Sequence, residues 1–300
     1  MRNSIIYRIR RKLQVVLYKI TSVEIVSKLY FRIIMGYKLN LKHPQTFNEK
    51  LQWLKNYYFP FNQLAIQCTD KYLVRDFISK MGLEEYLNEL IGVWNHENEI
   101  NWDSLPREFV LKCTHGCGYN IICENKELLD IPKTRKQLEA WLKEDFGAFN
   151  AEPHYSSLHG RIICEKFLGG NITDYKFFCF NGKIEFMYIV QRDQEKRNSL
   201  YTTCFYENGE RAPFRRTEHL EMQNAILPAG FDKMKEMSTL LANHFPFVRV
   251  DWFEVENEIF FSELTFTPGG AMLRLDPSEY DKQLGDLFDI SHCIENSSFH

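Results

Sequence analysis

Four side chains able to do chemistry fall at alternate positions near the C-terminal end of the chain. Arg249 and Asp251 lie in Val248-Arg249-Val250-Asp251-Trp252-Phe253. Glu263 and Thr265 lie in Phe260-Phe261-Ser262-Glu263-Leu264-Thr265-Phe266, before the break Thr267-Pro268-Gly269-Gly270. Both stretches read as strands joined by a short turn, and a period of two puts alternate residues on one face. Acidic groups so placed on facing strands converge on one point. Two convergent carboxylates suit a hard divalent cation such as Mg2+, which takes oxygen ligands and leaves part of its shell to phosphates. A guanidinium beside them suits a phosphoryl oxygen. The same residues also suit a cross-strand salt bridge of Arg249 with Glu263. Glu263 follows apolar Ile259-Phe260-Phe261, and a carboxylate emerging from a buried strand needs a cation or hydrogen bonds.

Three earlier sites carry weaker signals. Lys112 ends the apolar run Phe109-Val110-Leu111 just before His115-Gly116-Cys117-Gly118. A lysine there can reach a phosphate while loop N–H groups wrap the others. The Gly-Lys-Ser/Thr of a Walker loop is absent, and an edge-strand lysine reaching for water is the plainer reading. Glu165-Lys166-Phe167-Leu168 follows a strand and leads into Gly169-Gly170. Such a strand and linker can offer backbone groups to a base and a carboxylate to ribose hydroxyls, or simply an exposed Glu-Lys pair. Asp174 and Lys176 share one strand face, which alone reads as solvated charge.

The elements that must position these residues follow from pattern. Residues 4–36 read as a helix stopped by Gly36. Thr46 caps a second helix through about Tyr58, with Glu49 three residues on. Asp70–Lys80 reads as a third, and Leu90–Trp94 as a short strand. Phe109–Cys113, Ile121–Cys123, Arg161–Phe167, Asp174–Phe180, Lys183–Val190 and Leu200–Tyr206 read as strands, with helices at Lys133–Phe146 and Phe231–His244. Asn181-Gly182 is a strong hairpin signal. Strands joined by hairpins, with single helices between, predict an α+β fold with antiparallel sheets rather than a doubly wound one. The expected organisation is a basic helical segment 1–42, a helical lobe 43–107 and a core 108–290.

The 300 residues are 44% hydrophobic and 26% charged, ordinary for a globular chain. The net charge of −3 hides an asymmetry. Ten lysines and arginines (Arg2, Arg8, Arg10, Arg11, Lys12, Lys19, Lys28, Arg32, Lys38 and Lys42) against Glu24 give residues 1–42 a net +9, so residues 43–300 carry −12. An acidic body argues against a nucleic-acid partner, while the basic head suits peripheral contact with an anionic membrane or lipid-linked glycan. The run Leu13–Tyr18 is cut by Lys19 with no small-residue cleavage site after it, so no signal peptide is expected. No run reaches the ~18 apolar residues of a membrane span, which predicts a cytoplasmic chain, peripheral at most. Cys113 and Cys117 have the spacing of half a zinc site, but no second pair follows. The eight cysteines read as free thiols, most of them buried.

In this order and spacing the pieces resemble the ATP-grasp superfamily, and in detail its TupA-like branch. The landmarks are Thr46-Phe47-Asn48-Glu49-Lys50-Leu51-Gln52, Asp70-Lys71-Tyr72-Leu73-Val74-Arg75, Lys112-Cys113-Thr114-His115-Gly116, Asp174-Tyr175-Lys176-Phe177 and Glu263-Leu264-Thr265-Phe266. The resemblance implies two antiparallel-sheet lobes clasping ATP, after a helical N-terminal segment. It implies an ADP-forming carboxylate–amine ligase working through an acyl phosphate in bacterial cell-surface polysaccharide biosynthesis, of the capsule or teichuronopeptide kind. Its partners would be a small-molecule or glycan carboxylate and an amine. It carries roles onto residues here: Lys112 and Lys176 on phosphates; His115, Gly116 and Gly118 closing over them; Glu165, Lys166, Phe167 and Leu168 at the adenine hinge; Asp174 on ribose. Asp251 and Glu263 would hold Mg2+ with Thr265, where the family has Asn, and Arg249 would steady the transferring phosphoryl group.

Two other classes stay open at this point. A glycosyltransferase of a polysaccharide cluster commonly carries an Asp-x-Asp pair, and Asp251 is instead followed by Trp252-Phe253. A non-catalytic nucleotide-binding scaffold at the membrane would use the basic head.

Overall fold

The structure, a computed structural model, describes residues 5–170, 172–192 and 200–296. Arg2 of the basic head lies outside them. In place of one long N-terminal helix there are two, α1 (Ile5–Ile20) and α2 (Val23–Met35). Ser22 breaks the run because its hydroxyl accepts the Ile25 N–H and starts α2 afresh. Gly36 ends α2 at φ 84°, as expected. Helix α3 (Phe47–Tyr57) begins at Thr46 with a full capping box: the Thr46 hydroxyl accepts from Glu49 N–H (3.1 Å) and the Glu49 carboxylate accepts from Thr46 N–H (3.2 Å). The helix expected over Asp70–Lys80 forms only from Val74, as α5 (Val74–Lys80), and a helix the sequence reading did not expect, α4 (Gln63–Thr69), precedes it. Asp70 lies between them and accepts from the Tyr72 and Leu73 N–H groups, starting α5 late.

The strands follow in chain order. They are β1 (Leu90–Trp94), β2 (Phe109–Cys113) and β3 (Asn120–Cys123), then β4 (Ile162–Lys166), β5 (Asp174–Phe180), β6 (Lys183–Arg192) and β7 (Leu200–Tyr206). After them come β8 (Arg215–Arg216), β9 (Leu220–Glu221), β10 (Phe247–Val255), β11 (Glu258–Thr265) and β12 (Leu275–Asp276). Helices α6 (Ile131–Leu142), α7 (Gly147–Asn150) and α8 (Pro153–Ser156) lie between β3 and β4. Helix α9 (Phe231–Ala242) precedes β10, and α10 (Glu279–Leu287) and α11 (Ser291–Glu295) close the chain.

The strands form a small sheet ordered β1-β4-β2-β3, a larger one ordered β11-β10-β5-β6-β7-β9, and the pair β12-β8. Most pairings are antiparallel, with β9 added parallel to β7. In the small sheet Phe109, Leu111, Ile162 and Cys164 pack with Leu138 of α6, so Val110, Lys112 and Glu165 face the opposite way. In the large sheet Met234 and Met237 of α9 lie in the core, and Trp252 donates its indole N–H to Ser238 (2.8 Å). On the other face of this sheet, Phe47 of α3 stacks on Phe180 and tilts against Phe247. That face is thus aromatic and covered at one end, and charged at the other, where Asp251, Lys176 and Glu263 lie.

Candidate active site

The register of the large sheet brings the expected residues into rows. Asp251 pairs with Glu263 on β11 and with Lys176 on β5, while Arg249 pairs with Thr265 and Phe178. A bulge after Asp251 shifts the pairing so that Trp252 meets Phe261. Ser262 is left over opposite this step, on the wall of the neighbouring cavity.

Asp251 is fully buried and held by two cations. Arg249 grips it with both arms of the fork, at 2.6 Å each, and Lys176 reaches it at 2.5 Å. Burial opposes the charges on Arg249 and Lys176, but the facing carboxylates overcome it and raise both groups. Glu263 is the freer carboxylate. One oxygen accepts from Arg249 (3.1 Å) and Thr265 (3.0 Å), and the other lies 3.5 Å from Lys71. Burial would push Glu263 up, yet Lys71, Arg249 and Lys176 prevail and hold it at about 2. The Arg249–Glu263 salt bridge is therefore present alongside the carboxylate pair. The Thr265 hydroxyl accepts from Arg249 (2.9 Å) and donates to Glu263, which makes it a brace between the two.

The small sheet presents a second ion pair. Lys112 donates to Glu165 at 2.5 Å, and Arg75 lies 3.4 Å from the other Glu165 oxygen. The expectation of an exposed Glu165 paired with Lys166 fails. Glu165 points between two cations because β4 alternates, and Lys166 is the exposed one. The main chain of Lys166 is fixed by its neighbours: its carbonyl accepts from Asn88 (2.9 Å) and its N–H donates to the Glu89 carbonyl (3.0 Å).

Between the two sheets lies a cavity of about 360 Å3. Val110, Lys112 and Ile122 line it from the small sheet; Asp174, Phe253 and Ser262 line it from the large one; and Glu165 to Gly170 close one side. Val110, Ile122, Phe167, Leu168 and Phe253 give this largely polar cavity apolar surfaces on both sides, which suits a flat heterocycle that also carries polar edges.

The glycine loop between β2 and β3 behaves partly as expected. Gly118 has φ 71°, and a Cβ on Gly116 would sit 2.4 Å from the Tyr119 ring. Lys71 donates to the Gly116 carbonyl (2.9 Å). His115 does not face the cleft. It is buried against Gly160 with one ring nitrogen 3.0 Å from the Trp141 carbonyl, and burial lowers its pKa. The loop therefore offers backbone rather than imidazole. Among the described residues no group of three His, Cys, Asp or Glu side chains that could hold a metal forms. Seven cysteines are buried and Cys117 is exposed.

Several residues at the site escaped the sequence reading. Lys71 was visible only as part of a motif. Tyr188 pairs with Lys176, so it extends the Glu263–Asp251–Lys176 row onto β6. Its buried hydroxyl has no hydrogen-bond partner. The Nε of Arg216 and the Nδ1 of His219 are likewise buried without one. Arg216 has Glu218 3.6 Å away and lies 3.7 Å from where a Cβ of Gly269 would be. His219 is lowered to about 4, by burial first and then by the charges of Arg216 and Lys176. The charge of Arg216 is felt at both Tyr188 and His219, and a guanidinium near two neutral polar groups suits an oxyanion. Their positions come from different strands and loops, so no sequence spacing marks them.

A stripe of buried polar residues on α3 holds the chain beyond the hairpin and the end of α7. Asn48 donates to the Leu273 carbonyl (2.9 Å), Gln52 to those of Gly270 and Ala271 (3.1 Å each), and Lys55 to that of Asn150 (3.1 Å).

The sequence profile described as TupA-like ATPgrasp matches residues 49–289. No curated protein matches the chain. A D-alanine–D-alanine ligase from Bacillus anthracis is similar in structure at a TM-score of 0.47 and 15% identity, over 77% of this chain and 69% of that one. For a D-alanine–D-alanine ligase from Helicobacter pylori the values are 0.42 and 13%, over 82% and 67%. For an L-amino acid ligase from Bacillus licheniformis they are 0.42 and 13%, over 72% of this chain and 46% of that one, so the chain spans about half its length.

Proposed function

The chain belongs to the TupA-like ATP-grasp family, and from this premise we propose that it is an ADP-forming carboxylate–amine ligase in the synthesis of a bacterial cell-surface polysaccharide. The observation that carries the proposal is the row Glu263, Asp251, Lys176 with Arg249, whose strand neighbours Ser262, Phe253 and Asp174 line the same cavity as Lys112 of the opposite sheet. On this reading residues 108–290, with β1 of the 43–107 lobe added to the small sheet, form the catalytic core.

Val110, Ile122 and Phe253 sandwich the adenine, with main-chain contacts from Lys166, Phe167 and Leu168, and Asp174 accepts from ribose hydroxyls. Lys112 and Lys176 meet the phosphates, and Glu165 keeps Lys112 aimed. The loop at Gly116 and Gly118 covers them with N–H groups. Asp251 and Glu263 face each other in register and would hold Mg2+ through oxygens that Arg249, Lys176 and Lys71 meet in this structure; the ion would neutralise charge on the β- and γ-phosphates. Thr265 positions both groups. Arg249 stabilises the charge that builds on the transferring phosphoryl group.

The substrate carboxylate attacks the γ-phosphorus. A new O–P bond forms, the bond to the β-bridging oxygen breaks, and ADP leaves with the electron pair. The amine then attacks the acyl carbon, giving an amide and phosphate, with one proton released from nitrogen. No nucleophilic side chain is needed, because catalysis rests on positioning and charge. Arg216, Tyr188 and His219 seat the substrate carboxylate next to Lys176.

The test is ATP turnover with a panel of uronic and amino acids, with hydroxylamine as the amine. Carboxylate-dependent ADP release together with hydroxamate formation is the expected result. Absence of both across the panel, with ATP bound, would overturn the proposal.

A further inference from the structure

Helix α1 leaves a large part of its apolar surface facing away from the protein body. Its inward side is held by Val15, packed on the small-sheet core, and by polar contacts: Gln14 is buried and donates to the Phe149 carbonyl (2.7 Å), Arg11 lies 3.7 Å over the Phe149 ring, and Tyr18 meets Ser156 (3.4 Å). Its outward side carries Ile9, Leu13, Val16 and Ile20, exposed by between 52% and 73%. At ~100° per residue these four fall within an arc of about 60°. Lys12 and Lys19 border that arc on one side and Arg10 on the other, all exposed.

Helix α2 repeats the arrangement. Val26, Ser27 and Phe31 face the body, and Ser27 meets Asn56 of α3 (3.3 Å). Ile25, Leu29 and Ile33 point outward, with Arg32 exposed beside them. A run of seven large exposed apolar side chains on two successive helices marks an interaction surface.

We propose that the α1–α2 face docks on an anionic membrane surface, with its apolar stripe in the headgroup boundary and its basic borders on the lipid phosphates. Charge selects this occupant. Residues 1–42 carry net +9, so a second copy meeting the same face would set two positive patches together. No described helix is long and apolar enough to cross a membrane, so the face lies on the surface rather than spanning it. Its position has a consequence for the site. Helix α1 packs on α7, whose last residue, Asn150, lies 3.3 Å from where a Cβ of Gly270 would be. Docking would hold the end of the Pro268–Gly270 break near the lipid surface, where a lipid-linked glycan is presented.

Flotation of the full chain with phosphatidylcholine vesicles, with and without phosphatidylglycerol, tests this. The wild type should float with anionic vesicles and not with neutral ones. Leu13→Glu with Ile20→Glu should weaken binding by more than about tenfold, over 1.4 kcal/mol, and Lys12→Glu with Lys19→Glu should also weaken it. These side chains are exposed, so circular dichroism and binding of a non-hydrolysable ATP analogue should be unchanged. Equal binding by wild type and stripe variant, or no binding to anionic vesicles, would overturn the proposal. So would light scattering showing a lipid-free dimer that the stripe variant dissolves, since the face would then be a protein interface. The readout does not depend on turnover, so it stands apart from the ligase assay.

Discussion

Asp251 and Glu263 face each other across two strands but sit in different surroundings, and this lets their roles be separated. Asp251 is fully buried between Arg249 and Lys176, whereas Glu263 keeps 26% of its side chain exposed. Removing the charge of Asp251 leaves two cations facing a neutral amide, so Asp251→Asn should lose activity and also melt earlier, the uncompensated buried charge costing about 3–5 kcal/mol at most. Glu263→Gln should melt earlier too, by less than Asp251→Asn because Glu263 is partly exposed, while carboxylate-dependent ADP release falls at least about 100-fold. Thermal melts beside initial rates check both, and an active Glu263→Gln protein would remove the metal role from this pair. Arg216 tests the other half of the site. Lysine keeps the charge but not the planar fork, so Arg216→Lys should raise KM for the carboxylate about tenfold, a 1.4 kcal/mol loss of binding, with KM for ATP unchanged. A rise in the ATP KM instead would make Arg216 a phosphate residue.

At the scale of elements, the glycine loop and the segment behind it make two separate predictions. Gly116 packs so closely on Tyr119 and Phe146 that even a methyl group must move one of them or the loop. Gly116→Ala should therefore lower kcat and weaken ATP binding with a small change in melting temperature, as single-turnover rates and calorimetry would show. His154 in α8 is fully buried beside Thr267 (3.4 Å), and burial lowers it from 6.5 to about 3. The unfolded chain then binds the extra proton over that interval, so stability is complete above about pH 6.5 and falls as pH drops toward 3. Chemical denaturation from pH 7 to pH 4 should show a shallower loss for His154→Gln. The strands and the Thr46 cap were legible because alternation and capping are local patterns. The hairpin's pairing of Asp251 with Glu263 was legible for the same reason, since a short turn fixes register. The break at Ser22 and the late start of α5 at Val74 were not, because each depends on one side chain capturing a backbone N–H. The inward turn of His115 and the Arg216 cluster depend on packing between distant segments, which period and spacing do not encode.

On the scale of the whole molecule, the segment Asp70–Arg75 ties the two sheets together across the cleft. Asp70 accepts from the Thr114 hydroxyl (2.8 Å) and Arg75 reaches Glu165 (3.4 Å), both on the small-sheet side. Lys71 touches both sides at once, donating to the Gly116 carbonyl (2.9 Å) while lying 3.5 Å from Glu263 on β11. A single ammonium thus sets the distance between the phosphate loop and the carboxylate row. It also supplies part of the field that keeps Glu263 ionised. Lys71→Met keeps much of the apolar stem and removes both contacts. Two separable effects follow. The freed loop should exchange its amide hydrogens faster over residues 114–119, and ATP should bind more weakly because closing the loop now costs more order. Losing a positive neighbour should also let Glu263 rise from about 2 toward its ordinary value, so the acid limb of the pH–rate profile should move upward. A structural strap alone would change the exchange rates and leave the pH profile where it was. Movement of the profile without faster exchange would make Lys71 an electrostatic partner of Glu263 only. Both changes together are expected, because one side chain makes both contacts.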